Sequence, residues 1–233
     1  MSGRRLVLLR HGRTAWNESG RAQGHADVPL DEVGHAQAES AAAYLASLRP
    51  AALWSSDLSR ARQTCAYLEQ ETGLVAKHDD RLREFDVGQR QGMTIPEFAG
   101  RFPDEHAAWL RGDSMLRVPG AEVTEDVGRR IVPALHEALG SLDEGEAGIV
   151  VSHGAALKVG VVGLLGWPAD HAVTLRGIGN CAWLTVEELS VGGRLRMVGY
   201  NESVRPGHDV PETREPVAPA SRWADFASGS PVG

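Results

Sequence analysis

Two short segments of the sequence end in the same way, and both end in a histidine and a glycine. Residues 6–12 read Leu-Val-Leu-Leu-Arg-His-Gly, and residues 148–154 read Gly-Ile-Val-Val-Ser-His-Gly. Apolar runs of this kind are typical of buried parallel strands, and ligands of open α/β sheets bind beyond the carboxyl ends of the strands. If the two strands are neighbours, His11 and His153 face one crevice. The glycine after each histidine lets backbone N–H groups approach an anion closely, so we expect a catalytic site for an anionic ligand.

Three other segments supply polar side chains that the same crevice needs. Arg60 lies on the first turn of a predicted helix that follows a strand, and Glu84 lies in the loop after another strand. Asn17, Gln23 and Gly24 lie in the long loop after the first strand. Taken alone, each of these residues is also explained as a solvated surface residue or as part of a turn. Their placement after strands makes them candidates for the site.

The elements that must position these residues alternate between strands and helices. Short apolar runs predict strands at residues 6–9, 51–54, 74–77, 149–151, 182–186 and 195–200. Apolar residues at helical spacing predict four helices. The first ends before Pro50, and the second runs from a cap in residues 55–57 to Gly73. The third carries Val127 to Leu139, and the fourth spans residues 155–165. This order predicts an α/β domain with three α/β/α layers and a mainly parallel sheet.

Two segments do not share this pattern. Residues 83–117 contain several glycines and prolines and predict loops and short helices, which we interpret as a lid. From residue 201 the composition shifts, and the remaining 33 residues hold five of the 12 prolines. We therefore predict one domain over residues 1–203 and a polar, Pro-rich, flexible tail over residues 204–233.

Composition excludes several classes of function. The 233 residues carry a net charge of 24 − 31 = −7, which disfavours nucleic-acid binding. We also expect no membrane partner, because the longest apolar stretch is too short for a span and contains Lys158. Cys65 and Cys181 have no metal-ligand spacing and predict free thiols in a cytoplasmic protein. Neither cysteine has an arginine six residues later, and no Gly-Lys pair exists, so neither a Cys-x5-Arg loop nor a Walker A loop is present.

Four motifs in a fixed order carry a resemblance to a known family. They are Arg10-His11-Gly12 with Asn17 and Gln23-Gly24, then residues 56–61 with Arg60, then Leu82-Arg83-Glu84, then Ser152-His153-Gly154. Together they resemble the histidine phosphatase superfamily in its phosphoglycerate-mutase-like branch, from Leu6 to about Asn180. The resemblance implies the phosphoglycerate-mutase-like fold. It also implies an enzyme that hydrolyses phosphate monoesters without a metal or another cofactor.

The resemblance also implies roles for individual residues. His11 is the nucleophile that becomes phosphorylated, and Glu84 is the proton donor. The phosphoryl group and substrate are held by Arg10, Asn17, Gln23, Gly24, Arg60, His153 and Gly154. A histidine nucleophile must be neutral, and neighbouring arginines favour the neutral imidazole.

Departures from the family pattern bear on the substrate. Arg13 and Arg90 replace residues that are usually not basic, and Val123 replaces a serine. We expect both arginines to contact a second anionic group of a small phosphorylated substrate. The overall layout is most similar to actinobacterial glucosyl-3-phosphoglycerate phosphatases. Fructose-2,6-bisphosphatase-like and α-ribazole-phosphatase-like activities stay open.

A mutase is disfavoured, because His-Gly-Ala-Ala follows Ser152 where cofactor-dependent phosphoglycerate mutases have His-Gly-Asn-Ser. An inactive binding module is disfavoured as well, since the nucleophile and both arginines are present. The oligomeric state is left open, with a homodimer as one alternative.

Overall fold

A computed structural model describes residues 3–111, 118–189 and 193–204, so the predicted tail lies outside the described residues from residue 205 onward. Its centre is a six-stranded sheet of order β3-β2-β4-β1-β5-β6. The strands are β1 (Arg5–Arg10), β2 (Ala52–Ser55), β3 (Lys77–His78), β4 (Ala147–Ser152), β5 (Trp183–Glu188) and β6 (Leu195–Glu202). β3, β2, β4 and β1 pair in parallel, whereas β5 and β6 close the sheet antiparallel. The mainly parallel α/β sheet that the sequence predicts is confirmed.

Helices connect these strands. The described residues form α1 (Ala15–Glu18), α2 (Glu32–Ala46), α3 (Ser59–Thr72), α4 (Ile95–Arg101), α5 (Pro103–Leu110), α6 (Thr124–Gly140) and α7 (Gly154–Leu164). Three short 3-10 helices lie at Asp80–Leu82, Gly88–Arg90 and Ala169–Val173. None of these helices is long and apolar enough to cross a membrane. The segment predicted as loops and short helices contains α4 and α5, with residues 112–117 outside the described residues.

Alternating side chains of the central strands build a core on each face of the sheet. Leu6 and Leu8 of β1 pack with buried residues of α6 and α7, among them Ile131. Val7 and Leu9 point to the other face and pack with buried residues of α2 and α3. Because successive side chains of a strand point to opposite faces, a continuous apolar run is what a sheet covered on both sides requires.

The start of α3 differs from the prediction. The N-cap is Leu58 and not one of the three preceding residues, which the sequence predicts as caps. Leu58 makes no side-chain capping hydrogen bond. Ser56 and Asp57 are engaged elsewhere, because the Ser56 hydroxyl contacts a histidine ring and Asp57 pairs with Arg83. The end of α3 agrees with the prediction, since Gly73 has a left-handed φ of 73°.

The third strand is shorter than predicted. Only Lys77 and His78 pair with β2, opposite Trp54 and Ser55. β2 itself has four residues, and its last two are the ones that meet β3. Ala76 belongs to the strand predicted over residues 74–77, but its backbone N–H donates to the Glu69 carboxylate of α3 and not to a strand.

Candidate active site

The register of β1 and β4 brings the two histidines together. Arg10 is opposite Ser152 in this parallel pair, and the backbone N–H of His11 donates to the Ser152 carbonyl at 3.0 Å. His11 and His153 therefore leave the sheet side by side, with ring centroids 5.1 Å apart. Both side chains are buried. The predicted common position of the two histidines beyond the carboxyl ends of neighbouring strands is confirmed.

The His11 ring is arranged as a neutral base. Its Nδ1 atom lies 2.7 Å from the Gly12 carbonyl oxygen, which only accepts hydrogen bonds, so Nδ1 carries the proton. Burial lowers the pKa of His11 well below its ordinary value of 6.5, and the charges of Arg10 and Arg60 lower it further. The imidazole is then neutral at physiological pH, and Nε2 keeps its lone pair.

Arg60 is fixed by three hydrogen bonds inside the protein. Its terminal nitrogens donate to the carbonyls of Ala26 at 2.7 Å and Gly24 at 2.8 Å, and Nε donates to His153 Nδ1 at 3.2 Å. Each terminal nitrogen carries a second N–H group, so donors remain for an anion. Burial lowers the pKa of Arg60 to about 10, which leaves the side chain cationic at neutral pH.

His153 lies behind Arg60. Since Nδ1 accepts from Arg60, the proton of the neutral ring is on Nε2, which donates to the Ser56 hydroxyl at 2.9 Å. Burial and the charge of Arg60 lower the pKa of His153 well below 6.5, so this tautomer persists. Both ring nitrogens have partners within the protein. Direct contact of His153 with a phosphoryl group, which the resemblance implies, stays a prediction and requires one of these hydrogen bonds to be exchanged.

Arg10 approaches the site over a glycine. One terminal nitrogen donates to the Ile178 carbonyl at 2.6 Å, while Nε is buried and has no hydrogen-bond partner. A Cβ atom on Gly154 would lie 3.3 Å from this Nε, so the glycine leaves room for the guanidinium. Gly154 thus lies beside Arg10, and a direct role in substrate binding stays a prediction.

Asn17 is oriented by its neighbours. Its Oδ1 atom accepts hydrogen bonds from the Thr14 backbone N–H at 3.1 Å and from Asn180 Nδ2 at 3.2 Å. The amide nitrogen of Asn17, a donor, therefore points away from these groups. Asn180 also donates to the His11 carbonyl at 3.1 Å, which ties the loop that begins at His11 to the start of the antiparallel strands.

Glu84 is held at the amino terminus of α7. Its carboxylate accepts hydrogen bonds from the backbone N–H groups of Ala155 at 3.1 Å and Ala156 at 2.9 Å. Its own carbonyl accepts from Arg130 and from the His25 ring, both at 2.8 Å. The carboxylate therefore has a fixed position on the opposite side of the site from α3.

Arg130 was not singled out by the sequence analysis. Besides its bond to Glu84, it donates to the carbonyls of Arg81 and Arg83 and forms a two-point ion pair with Glu122. This side chain therefore holds the whole segment that carries Glu84. No motif marks it in the sequence, because the three carbonyls that it binds are 46 to 49 residues away along the chain.

A cavity of about 600 Å³ lies at this site. Seven of the nine predicted site residues line it: Arg10, His11, Asn17, Gln23, Gly24, Arg60 and Glu84. A cavity of this volume accommodates a substrate much larger than a phosphate group.

The basic departures from the family pattern differ in their position. Arg90 lines the cavity, but Arg13 does not. Arg13 pairs with Glu18 and with Asp31, so the expectation that it contacts substrate is wrong. Val123 and Thr124 both line the cavity. The family pattern has its serine at the position of Val123, and in this sequence the hydroxyl-bearing residue is the next one, Thr124.

Among the residues that the structure describes, no group of three or more His, Cys, Asp or Glu side chains is placed to hold a metal ion. The positive charge beside His11 comes from Arg10 and Arg60.

Comparison with known proteins decides the family. Residues 6–201 match the histidine phosphatase superfamily (branch 1). The chain belongs to the histidine phosphatase superfamily. The family and the fold therefore agree with the resemblance that the four motifs carry, and the protein is a phosphatase of this superfamily.

Several relatives of this histidine phosphatase share one name. The glucosyl-3-phosphoglycerate phosphatase of Mycolicibacterium vanbaalenii is 39% identical over 190 residues, covering 79% of this chain and 84% of that protein. The glucosyl-3-phosphoglycerate phosphatase of Mycobacterium tuberculosis is 35% identical over 223 residues, covering 90% of this chain and all of that protein. A solved structure of a mycobacterial glucosyl-3-phosphoglycerate phosphatase with VO3 is similar with a TM-score of 0.79 and 35% identity, covering 86% and 100% of the two chains.

The neutral state of buried His11 predicts a pH-dependent contribution to stability. In the unfolded chain the histidine binds a proton as the pH falls through 6.5, whereas in the folded protein it stays neutral, so stability is lost toward acid. Between pH 7.5 and 5.5 the wild-type free energy of unfolding should fall by about 1.4 kcal/mol more than that of His11→Gln. Urea unfolding of both proteins without phosphate at the two pH values measures this difference. Equal losses would mean that His11 titrates as an exposed histidine does.

Proposed function

We propose that this phosphatase hydrolyses a phosphate monoester in two steps through a phosphohistidine at His11. The observation that carries the proposal is the neutral His11 ring with its proton on Nδ1, at the wall of the cavity and beside the charges of Arg10 and Arg60. A buried imidazole in this tautomer presents a lone pair and no positive charge to an anionic phosphorus centre.

In the first step, His11 Nε2 attacks phosphorus and the bond from phosphorus to the alcohol oxygen breaks. The free N–H groups of Arg10 and Arg60 bind the equatorial oxygens and balance the charge that develops there. Asn17 and Gln23, which also line the cavity, add amide groups. The Glu84 carboxyl group transfers its proton to the departing oxygen, so that this oxygen leaves as a hydroxyl group and not as an alkoxide.

In the second step, water attacks the phosphohistidine and the bond from phosphorus to Nε2 breaks. Glu84, now a carboxylate, accepts the proton of the attacking water and returns to its starting state. His11 is regenerated as the neutral imidazole. The hydrogen bonds from Ala155 and Ala156 keep Glu84 in the same place through both steps.

The proposed substrate is glucosyl-3-phosphoglycerate. Relatives at 35–39% identity carry this activity in their names, and one of them is matched over its whole length. The cavity volume of about 600 Å³ supports a substrate with a sizeable group beside the phosphate.

The free, buried cysteines support the cytoplasmic location that the sequence predicts.

The substrate assignment predicts an order of specificity constants. We expect kcat/KM for phosphate release to be highest for glucosyl-3-phosphoglycerate, lower for 3-phosphoglycerate, and lower again for fructose 2,6-bisphosphate and α-ribazole phosphate. Steady-state phosphate release from this panel, with enzyme purified from one preparation, measures the order. Conversion of 3-phosphoglycerate to 2-phosphoglycerate without phosphate release would contradict the hydrolase assignment and favour a mutase.

The role of Glu84 predicts a difference between two kinds of leaving group. Glu84→Gln keeps the shape of the side chain but transfers no proton, so kcat/KM for an alkyl phosphate should fall by roughly 10²- to 10⁴-fold. An aryl phosphate, whose leaving group needs less protonation, should lose less when transfer to His11 limits the rate. Asp86→Asn is the matched control, because Asp86 also lines the cavity and its carboxylate accepts a hydrogen bond from the Gly88 backbone. If Asp86→Asn produces the leaving-group dependence and Glu84→Gln does not, the acid has been assigned to the wrong carboxylate.

A further inference from the structure

We infer that Arg90 is the residue that binds the carboxylate of the glycerate part of the substrate. This inference rests on the proposed function and adds a second anion site to the phosphoryl site. Arg90 lines the same cavity as His11, on the wall formed by the segment between Glu84 and α4. Because the phosphoryl group is bound by Arg10 and Arg60, Arg90 is available for a different group of the same molecule.

The Arg90 guanidinium is partly buried without an anionic partner. Its Nε atom is fully shielded from solvent and has no hydrogen-bond partner, and no described residue accepts a hydrogen bond from its side chain or forms an ion pair with it. Burial lowers the pKa of Arg90 below its ordinary value, but an arginine stays protonated in a protein. A desolvated charge with unused donors costs free energy, and an arriving carboxylate satisfies both the charge and the donors.

Two aromatic rings hold this guanidinium in place. It lies over the Phe98 ring at 4.6 Å and over the Trp109 ring at 5.0 Å, measured to the ring centroids. Stacking on aromatic rings fixes the plane of the guanidinium while leaving its edge, where the N–H groups lie, for a planar anion. Trp109 itself lines the cavity, which places this stack at the cavity wall.

The backbone that carries Arg90 is tightly packed. The backbone N–H of Gln89 donates to the Pro119 carbonyl at 3.0 Å, and Gly88 has a left-handed φ of 52°. A Cβ atom on Gly88 would lie 2.2 Å from the Pro119 carbonyl oxygen, so only glycine allows this approach. The 3-10 helix Gly88–Arg90 is therefore positioned before any ligand binds.

The other basic residues outside the phosphoryl site already have partners. Arg21 lines the cavity but donates to the Gly92 carbonyl and pairs with Glu97. Lys158 also lines the cavity, and its ammonium donates to the Leu175 carbonyl at 3.3 Å. Arg90 differs from both, because none of its donors has an acceptor and its charge has no anionic partner among the described residues, so an additional carboxylate compensates its buried charge most. A fork of N–H groups also matches the two oxygens of a carboxylate better than an ammonium does.

The test uses a pair of substrates that differ only in this group. Glucosyl-3-phosphoglycerate is compared with its counterpart in which the carboxylate is replaced by a hydroxymethyl group, so both are alkyl phosphates with the same sugar. For wild type we expect a higher kcat/KM with the carboxylate. In Arg90→Gln the ratio of the two kcat/KM values should fall by about 10- to 150-fold, as expected for the loss of a charge-assisted contact. Arg90→Lys should recover part of the ratio, because it restores the charge without the fork.

Arg13→Gln is the matched control, since Arg13 is an arginine that lies outside the cavity and pairs with Glu18 and Asp31. It should leave the ratio of the two kcat/KM values as it is in wild type. Thermal unfolding of each variant shows whether the fold is intact, and the substrate ratio is independent of the fraction of folded enzyme.

The outcomes separate this inference from the proposed function. A wild type that does not prefer the carboxylate substrate overturns the substrate assignment, and the Arg90 site falls with it. A wild-type preference that Arg90→Gln retains overturns the Arg90 site alone. A preference that is lost in Lys158→Met and retained in Arg90→Gln also overturns it, since the carboxylate then binds at α7.

Discussion

A nucleophilic imidazole has to stay neutral while it lies next to the cations that attract its substrate, and the rest of the site depends on this condition. Burial and the charges of Arg10 and Arg60 disfavour protonation of His11. The Gly12 carbonyl accepts the hydrogen bond of the one N–H group of the ring, at Nδ1, so the lone pair is on Nε2. In the proposed mechanism the same guanidinium groups therefore serve two purposes, because they bind the phosphoryl oxygens and keep the attacking nitrogen unprotonated.

The sheet positions the two histidines, and the helices position the charged side chains around them. The parallel pairing of β1 with β4 aligns Arg10 with Ser152, and the residue that follows each strand is one of the two site histidines. The first turn of α3 delivers Arg60 from one side of the crevice, and the amino terminus of α7 holds Glu84 on the other. Each charged group is thus fixed by backbone groups, which do not titrate. This arrangement keeps the geometry constant while charge moves during the reaction.

Much of the fold and of the site could be predicted from the sequence, because the signals were local. An apolar run followed by His-Gly defines both a strand and the residue beyond its carboxyl end, so His11 and His153 could be placed without a structure. The role of Ser56 could not, since a hydroxyl next to a predicted helix is usually its cap, and only the packed structure shows it bonded to His153. Arg13 and Arg90 were equivalent in the sequence. Their difference lies in partners brought by folding, because Asp31 pairs with Arg13 while Arg90 stacks on two aromatic rings.

The central claim is that His11 itself carries the phosphoryl group, and rapid quenching of the enzyme with isotopically labelled substrate tests it most directly. The account predicts a labelled protein that is stable in base and labile in acid, with the label on residue 11 by mass spectrometry and no label in His11→Ala. Label on a serine, cysteine or aspartate, or label that survives in His11→Ala, would contradict it.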